Sequence, residues 1–277
     1  KGGTPMSHIV SDEQAAYFRE HGYVAVPGFF NAREVAAMQA EVARFKEQGL
    51  VSNVATDEDG ETTSTTKQNL QLLPIHKHSD LFRALPFEPS VIEAVKSMIG
   101  EPYRLHLDQM FLKPAKNGSG TSWHQDNGYF HIENPLMGTA MWIAVHDATR
   151  ENGTISVIPD SFAETLEHTR DSGSNHHVRC YPPEDQAVHL ELEAGGVAFF
   201  CYGTPHATWA NTTDKDRAGV AYHFLREDFI PEDYSDRLKE SMACLTGDDA
   251  SDGTKEYGAP VRATLADEVE KVLAGAS

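Results

Sequence analysis

The chain has 277 residues, 40% hydrophobic and 23% charged, enough apolar material for one large domain or two small ones, and all-β barrels of this length form single units. A formal net charge of −19 excludes a sequence-independent nucleic-acid surface, which needs clustered Lys and Arg, and disfavours a membrane surface for the same reason. Three widely spaced cysteines, Cys180, Cys201 and Cys244, with no CxxC, exclude a disulfide framework and a thiolate zinc site and fit a reducing compartment.

No apolar run approaches the ~20 residues that span a bilayer, and no basic-then-apolar signal pattern opens the chain. A cytoplasmic protein is expected, with "KGGTP" before Met6 set aside as an expression remnant. Ser11 predicts an N-cap, Asp12 and Glu13 suit a first helical turn, and Ala15 and Phe18 recur at helical spacing until Gly22. "YVAVPGFF" reads as a short strand broken at Pro27-Gly28. "NAREVAAMQAEVARFKEQG" is an amphipathic helix with Val35, Met38, Val42 and Phe45 on one face and Gly49 as its stop. Residues 51–66 are polar and aperiodic, predicting a surface loop or lid, and "SVIEAVKSMIGE" is a third helix ending at Gly100.

From about residue 103 the pattern changes to short apolar runs separated by Gly, Pro, Asn and Asp: "YRLHLDQMFLKP", "GTAMWIAVHDA", "GTISVIPDS", "AVHLELEAGGVAFFCY", "HATWAN" and "AGVAYHFLRE". Closely spaced strands preceded by helices predict a β-sandwich or barrel rather than a parallel α/β sheet. One domain over 1–277 is expected: a helical part with a lid loop (1–102), a β core (103–230) carrying a polar insertion (163–187), and a helical tail (231–277). In that tail Leu265, Val269 and Leu273 would pack back onto the core.

Within "TSWHQDNGYF", His124 and Asp126 stand two residues apart. On a strand, i and i+2 share a face, so such a pair brings an imidazole and a carboxylate to one ion. Two imidazoles and one carboxylate with open positions is the facial arrangement of non-haem Fe(II) oxygenases. With 14 histidines in the chain, His131/Glu133 and His189/Glu191 fit the same spacing, and a solvated strand edge explains any one such pair equally well. Context favours His124, because His131 runs into a proline turn and His189 lies on a regularly alternating strand. Downstream, a turn centred between Asn211 and Thr212 would set His206 directly opposite Arg217, with Cβ atoms about 4.5–5.5 Å apart. A cation beside a metal ligand makes sense when an anion bridges them, as a 2-oxo acid with a distal carboxylate does. The plainer alternative for Arg217 is a surface salt bridge to Asp214 or Asp216.

"WHQDNGYF", "GTAMWIAVHDATRENGTISVIPDS" and "HATWANTTDKDR" together resemble the phytanoyl-CoA dioxygenase family of Fe(II)/2-oxoglutarate oxygenases, over residues 12–230 and most densely over 104–225. The resemblance implies a fold that is mainly β with flanking α, a double-stranded β-helix (jelly-roll, cupin-like) core with N-terminal helices packed outside. It implies iron ligands His124, Asp126 and His206, and Arg217 gripping 2-oxoglutarate with Thr208 assisting. Met110, Trp142, Lys67 and Gln125 are similar to its further cosubstrate positions, although core packing accounts equally well for Met110 and Trp142. Asp126 departs from the related halogenases, where a small residue leaves room for chloride. The implied activity is O2-dependent oxidation, usually hydroxylation, of a C–H bond in a small metabolite or natural-product intermediate, yielding succinate and CO2. The 51–66 loop and the 163–187 insertion would serve as lids, and a patch of Arg170, His176, His177 and Arg179 could bind a small anion such as a carboxylate or phosphonate. A monomer and a homodimer both remain open. Rival classes are a cupin-type metal enzyme without a 2-oxo acid and a non-catalytic jelly-roll binding module.

Overall fold

The computed structural model describes residues 10–250, 261 and 263–275, so the expression remnant expected at 1–5 lies outside the described residues. Helix α1 (Asp12–His21) starts on a capping box: Ser11 Oγ accepts from Gln14 N and the Gln14 side chain accepts from Ser11 N. Gly22 closes it at φ 80 and leads into β1 (Tyr23–Val26). Helix α2 (Ala32–Glu47) repeats the device with Asn31 and Glu34 and buries Val35, Met38, Val42 and Phe45. Next come β2 (Ser52–Asn53), β3 (Leu70–Leu72), α3 (Asp80–Ala84) and α4 (Pro89–Ile99).

The β core follows with β4 (Tyr103–Lys113), β5 (Thr121–His124), the single turn α5 (Asn127–Phe130), β6 (Gly138–Ala144) and β7 (Ile155–Val157). The insertion holds the hairpin β8 (Thr169–Arg170) and β9 (Val178–Arg179). Then come β10 (Val188–His189), β11 (Val197–Cys201), β12 (His206–Thr208) and β13 (Arg217–Arg226), and after them α6 (Asp236–Ser241), β14 (Ala243–Cys244) and α7 (Leu265–Gly275). The major sheet runs β1-β11-β6-β13-β4-β3-β2 with β14 beside β4, and the minor sheet runs β10-β7-β12-β5. Two antiparallel sheets with helices outside make a jelly-roll core, mainly β with flanking α.

Strand parity sorts the side chains of β13, and those of β4 beyond its bulge at His106, onto two sides. Met110, Leu112, Val220, Tyr222 and Phe224 face outward into the core shared with α1, α2, α4 and α7. In α7, Leu265 and Val269 are buried there and Leu273 packs against them. The inner face of the major sheet carries Ala140, Ala144, Ala198 and Ala221 beside Trp142 and Phe200, packed against Ile155 and Val157 of the minor sheet. Small side chains at those positions keep the space between the sheets from filling, so a pocket persists where a close-packed core would otherwise form.

The structure departs from the sequence expectations in four places. The 51–66 segment is not only a surface loop, because it contains β2 and buries Val54, Ala55 and Thr56. Its backbone is stitched to the insertion through Thr56 N to Gly173 O (3.1 Å), Gly60 N to Ser172 O (2.8 Å) and Asn175 N to Val54 O (3.0 Å). Strand β3 and helix α3 had too little apolar periodicity to be anticipated. Strand β5 stops at His124 while Asp126 adopts helical angles (φ −56, ψ −32) at the head of α5, so the pair does not share a strand face. Finally, β12 and β13 do not pair: β12 lies in the minor sheet and β13 in the major one. The segment after Thr208 crosses between sheets instead of reversing as a hairpin, so the expected opposition of His206 and Arg217 is wrong.

Candidate metal centre

Antiparallel pairing of β12 with β5 makes His206 and His124 register partners, and their ring centroids lie 4.2 Å apart. Each imidazole is locked from behind: His124 Nδ1 donates to Ser122 O (2.8 Å) and His206 Nδ1 to Thr204 O (3.0 Å), which turns each Nε2 inward as a bare lone pair. Asp126 reaches the same point from its helical turn. The Gln125 side chain fixes that turn by accepting from Leu166 N (2.7 Å) and donating to Glu164 O (2.8 Å) and Gly203 O (2.5 Å). Ligand-type atoms of His124, Asp126 and His206 all lie within 4.8 Å of one another.

The electrostatics suit a cation. Burial, with His124 alongside, pushes the His206 pKa down to about 3, and burial likewise lowers that of His124, so both stay neutral and able to ligate. Burial alone would raise the Asp126 carboxyl, but His223, His206 and His124 around it outweigh burial and hold it below the usual carboxylate range. His206 Nε2 lies 3.8 Å from Asp126 Oδ1 and His223 Nε2 lies 3.3 Å from Oδ2. Neither contact has hydrogen-bond geometry, and Asp126 Oδ2 is a buried oxygen without a hydrogen-bond partner. Two neutral imidazoles and an under-satisfied buried carboxylate fit a divalent metal.

The three residues line a mostly apolar cavity of about 240 Å³ that also holds Arg217, Thr208 and Trp142. Arg217 is 1% exposed, donates to Gly153 O and Asn152 O, and forms no ion pair with a carboxylate among the described residues. Asp214 and Asp216, the alternative partners, are taken by Lys116 and Lys46. Burial lowers the Arg217 pKa to about 9. Across the β13–β4 pair its register partner is Lys113, 1% exposed, whose Nζ donates to Thr208 Oγ1 (2.7 Å), Ser119 O (2.8 Å) and Trp209 O (2.6 Å). Burial first, then the neighbouring guanidinium, pushes the Lys113 ammonium well down. A buried guanidinium with no carboxylate partner among the described residues, beside a lysine whose Nζ is engaged in three hydrogen bonds, suits an anion.

Not every expected contact is there. Met110 faces the helices, because parity sets it opposite to Gln109, Phe111 and Lys113, which line the cavity. Gln125 is wholly engaged in backbone hydrogen bonds and does not line the cavity. Lys67 pairs with Glu58 (2.6 Å) at the surface and borders a separate outer cavity. Arg170 donates to the His177 and Gly60 carbonyls, leaving His176 and His177 to line the pocket mouth. His131 is exposed in a left-handed turn, and His189 hydrogen-bonds Ser156 (2.7 Å), so neither competes as a ligand. Lys113 and His223 were missed, although strand parity with Arg217, or pairing to its strand, marks both as inward.

Trp142 lies under Arg217, whose guanidinium carbon is 5.6 Å from the ring centroid. The indole fits only because residue 219 is glycine: a Cβ there would meet Trp142 Nε1 at 2.5 Å and its ring carbons at 2.6 Å. Gly219→Ala should therefore tilt the indole away and cost about 1–3 kcal/mol of stability by overpacking, which thermal melting checks.

The profile of the phytanoyl-CoA dioxygenase (PhyH) family matches residues 18–219. A probable phytanoyl-CoA dioxygenase of Caenorhabditis elegans is 26% identical over 250 residues, 81% of this chain and 78% of the relative. An ectoine dioxygenase of Stutzerimonas stutzeri (strain A1501) is 25% identical over 240 residues, 79% of this chain and 78% of the relative. Among solved structures, the epimerase SnoN in complex with Fe3+, alpha ketoglutarate and nogalamycin RO superimposes with TM-score 0.66 at 25% identity, covering 86% of this chain and 96% of that one. With its fold, its His-Asp-His cluster and these matches in hand, the chain belongs to the phytanoyl-CoA dioxygenase family and is a non-haem iron enzyme that uses 2-oxoglutarate and O2.

Proposed function

We propose that His124, Asp126 and His206 hold the iron, that Arg217, Thr208 and Trp142 hold 2-oxoglutarate, and that the enzyme hydroxylates a C–H bond of a compact, largely apolar small molecule, releasing succinate and CO2. One observation carries this assignment: three metal-type donors converge in a pocket whose wall also holds a buried guanidinium with no carboxylate partner among the described residues.

Bound iron would supply the oxidising chemistry, bringing O2 and the 2-oxo acid together so that decarboxylation drives attack on the substrate. The protein's share is orientation and dryness. The Ser122 and Thr204 carbonyls aim the two imidazoles, and the Arg217 fork gives the distal carboxylate one orientation. Trp142, Ile155 and Phe200 wall the space against water.

Size bounds the substrate. About 240 Å³ is below the usual ~300–1,000 Å³ of ligand pockets and is shared with the cosubstrate, so only a compact part of the substrate reaches the metal. The remainder would lie at the mouth among Leu73, Tyr129, Phe130, His176 and His177. A natural-product intermediate or small metabolite fits this better than a polyanionic carrier approaching a chain of charge −19. We place this single oxygenase domain in the cytoplasm, supported by the free thiols of Cys180 and Cys201 in its core. No helix among the described residues is long and apolar enough to cross a membrane.

A succinate-release assay with Fe(II), 2-oxoglutarate and a metabolite library tests the proposal. Stimulation of succinate formation by a compact library member, with a hydroxylated product, is expected. Product formation that proceeds unchanged without 2-oxoglutarate would overturn it.

A further inference from the structure

We propose that His223 is a positioning residue that keeps Asp126 bound to the iron through one oxygen only, preserving three open coordination positions. The role presupposes Asp126 as a ligand, as proposed above.

The two oxygens of Asp126 face different neighbours: Oδ1 lies 3.8 Å from His206 Nε2, within the ligand cluster, and Oδ2 lies 3.3 Å from His223 Nε2. Both side chains are buried, at 6% exposure for Asp126 and 4% for His223. The Nδ1 of His223 has no hydrogen-bond partner, so its one polar engagement is with that carboxylate. An ordinary core histidine satisfies its ring against backbone or side chains, as His76 does with Asp108 at 2.6 Å. Position 223 is six residues from Arg217 on the same strand, hence on the same inward face. A bulge opposite it, where β4 skips His106 between Leu107 and Leu105, sets the local tilt of the strand. The edge of Phe130 (5.8 Å between centroids, 79° between planes) and the Tyr202 ring (6.0 Å) fix the imidazole plane.

A carboxylate can ligate through one oxygen or chelate through two. Chelation would take one of the three positions that a facial triad leaves for the 2-oxo acid and O2. His223 Nε2 stands 3.3 Å from Oδ2 outside hydrogen-bond geometry, so a small turn of the ring lets its N–H take that oxygen's lone pairs and leaves Oδ1 toward the metal. The familiar outer contact in metal sites is a carboxylate behind a histidine ligand; here the order is reversed.

Co(II) serves as a redox-inert probe of metal-free protein, followed by its visible d–d spectrum with and without 2-oxoglutarate, beside thermal melting. Wild type should bind one Co(II), and Asp126→Ala none. His223→Leu should still bind Co(II), with a shifted d–d spectrum and a diminished spectral response to 2-oxoglutarate. His223→Gln, which keeps an N–H donor, should recover most of both. A wild-type spectrum and 2-oxoglutarate response in His223→Leu, or equal impairment of the Leu and Gln variants, overturns the role. If the leucine variant does not fold, His223→Gln decides alone: a wild-type spectrum supports the role and a lost one overturns it. Retained Co(II) binding in Asp126→Ala overturns the ligand assignment, and this role with it.

Discussion

Asp126→Ala yields a protein that folds, binds no Fe(II) at micromolar concentration, and releases no succinate. Asp126 supplies the one negative charge in the ligand cluster, and it lies among His124, His206 and His223. Removing a group that merely supports a ligand costs about 10–100-fold in metal affinity, so losing the charged ligand itself should exceed that range. The fold should survive, because the Gln125 clamp and the α5 turn do not use the carboxylate. Metal titration followed by isothermal calorimetry checks the first part, and melting of the metal-free protein checks the second. An Asp126→Ala enzyme that still turned over, with His131→Ala or Glu133→Ala inactive instead, would place the metal elsewhere.

The second large effect belongs to Arg217. Arg217→Leu should raise the 2-oxoglutarate requirement by about 100-fold or more, because each hydrogen bond to a charged group contributes about 1.5–3 kcal/mol and every 1.4 kcal/mol is tenfold. Arg217→Lys should recover little, since an ammonium lacks the planar fork. Without cosubstrate the sign reverses. The wild-type protein buries the guanidinium with no carboxylate partner among the described residues, and replacing such a charge by an apolar side chain is often neutral or stabilising. Metal-free Arg217→Leu should therefore melt no lower than wild type, while wild type alone gains a large increment in melting temperature from 2-oxoglutarate. Equal cosubstrate dependence in the two proteins would remove Arg217 from the site.

Helices α1, α2 and α4 were legible because their signals are local. Ser11 with Gln14 and Asn31 with Glu34 cap their own helices, and Val35, Met38, Val42 and Phe45 form a stripe that any amphipathic reading finds. The long strands and the helix beginning at Leu265 were legible for the same reason. What failed were inferences that needed the sheet order. His206 and Arg217 were expected as hairpin partners because a polar turn separates them, but chain proximity does not reveal that the segment between them changes sheet. The cross-strand partners of His206 are His124 on β5 and Val157 on β7, both far away in sequence. Of the two readings open for Met110, core packing is the one the structure shows, because its neighbours Gln109 and Phe111 take the inward face of the strand. Lys113 and His223 escaped notice because a lone lysine at a strand end and a histidine among aromatics read as ordinary until Arg217 fixes which face is interior.

The backbone hydrogen bonds that join residues 54–60 to residues 172–175 bear on how new specificities arise on this scaffold. Two segments far apart in the gene are tied together as one flap. Grafting either of them alone from a related oxygenase would strand peptide groups that its counterpart now satisfies. Successful swaps of substrate preference should therefore come as matched pairs of segments, with single exchanges showing up first as insoluble protein rather than as altered chemistry.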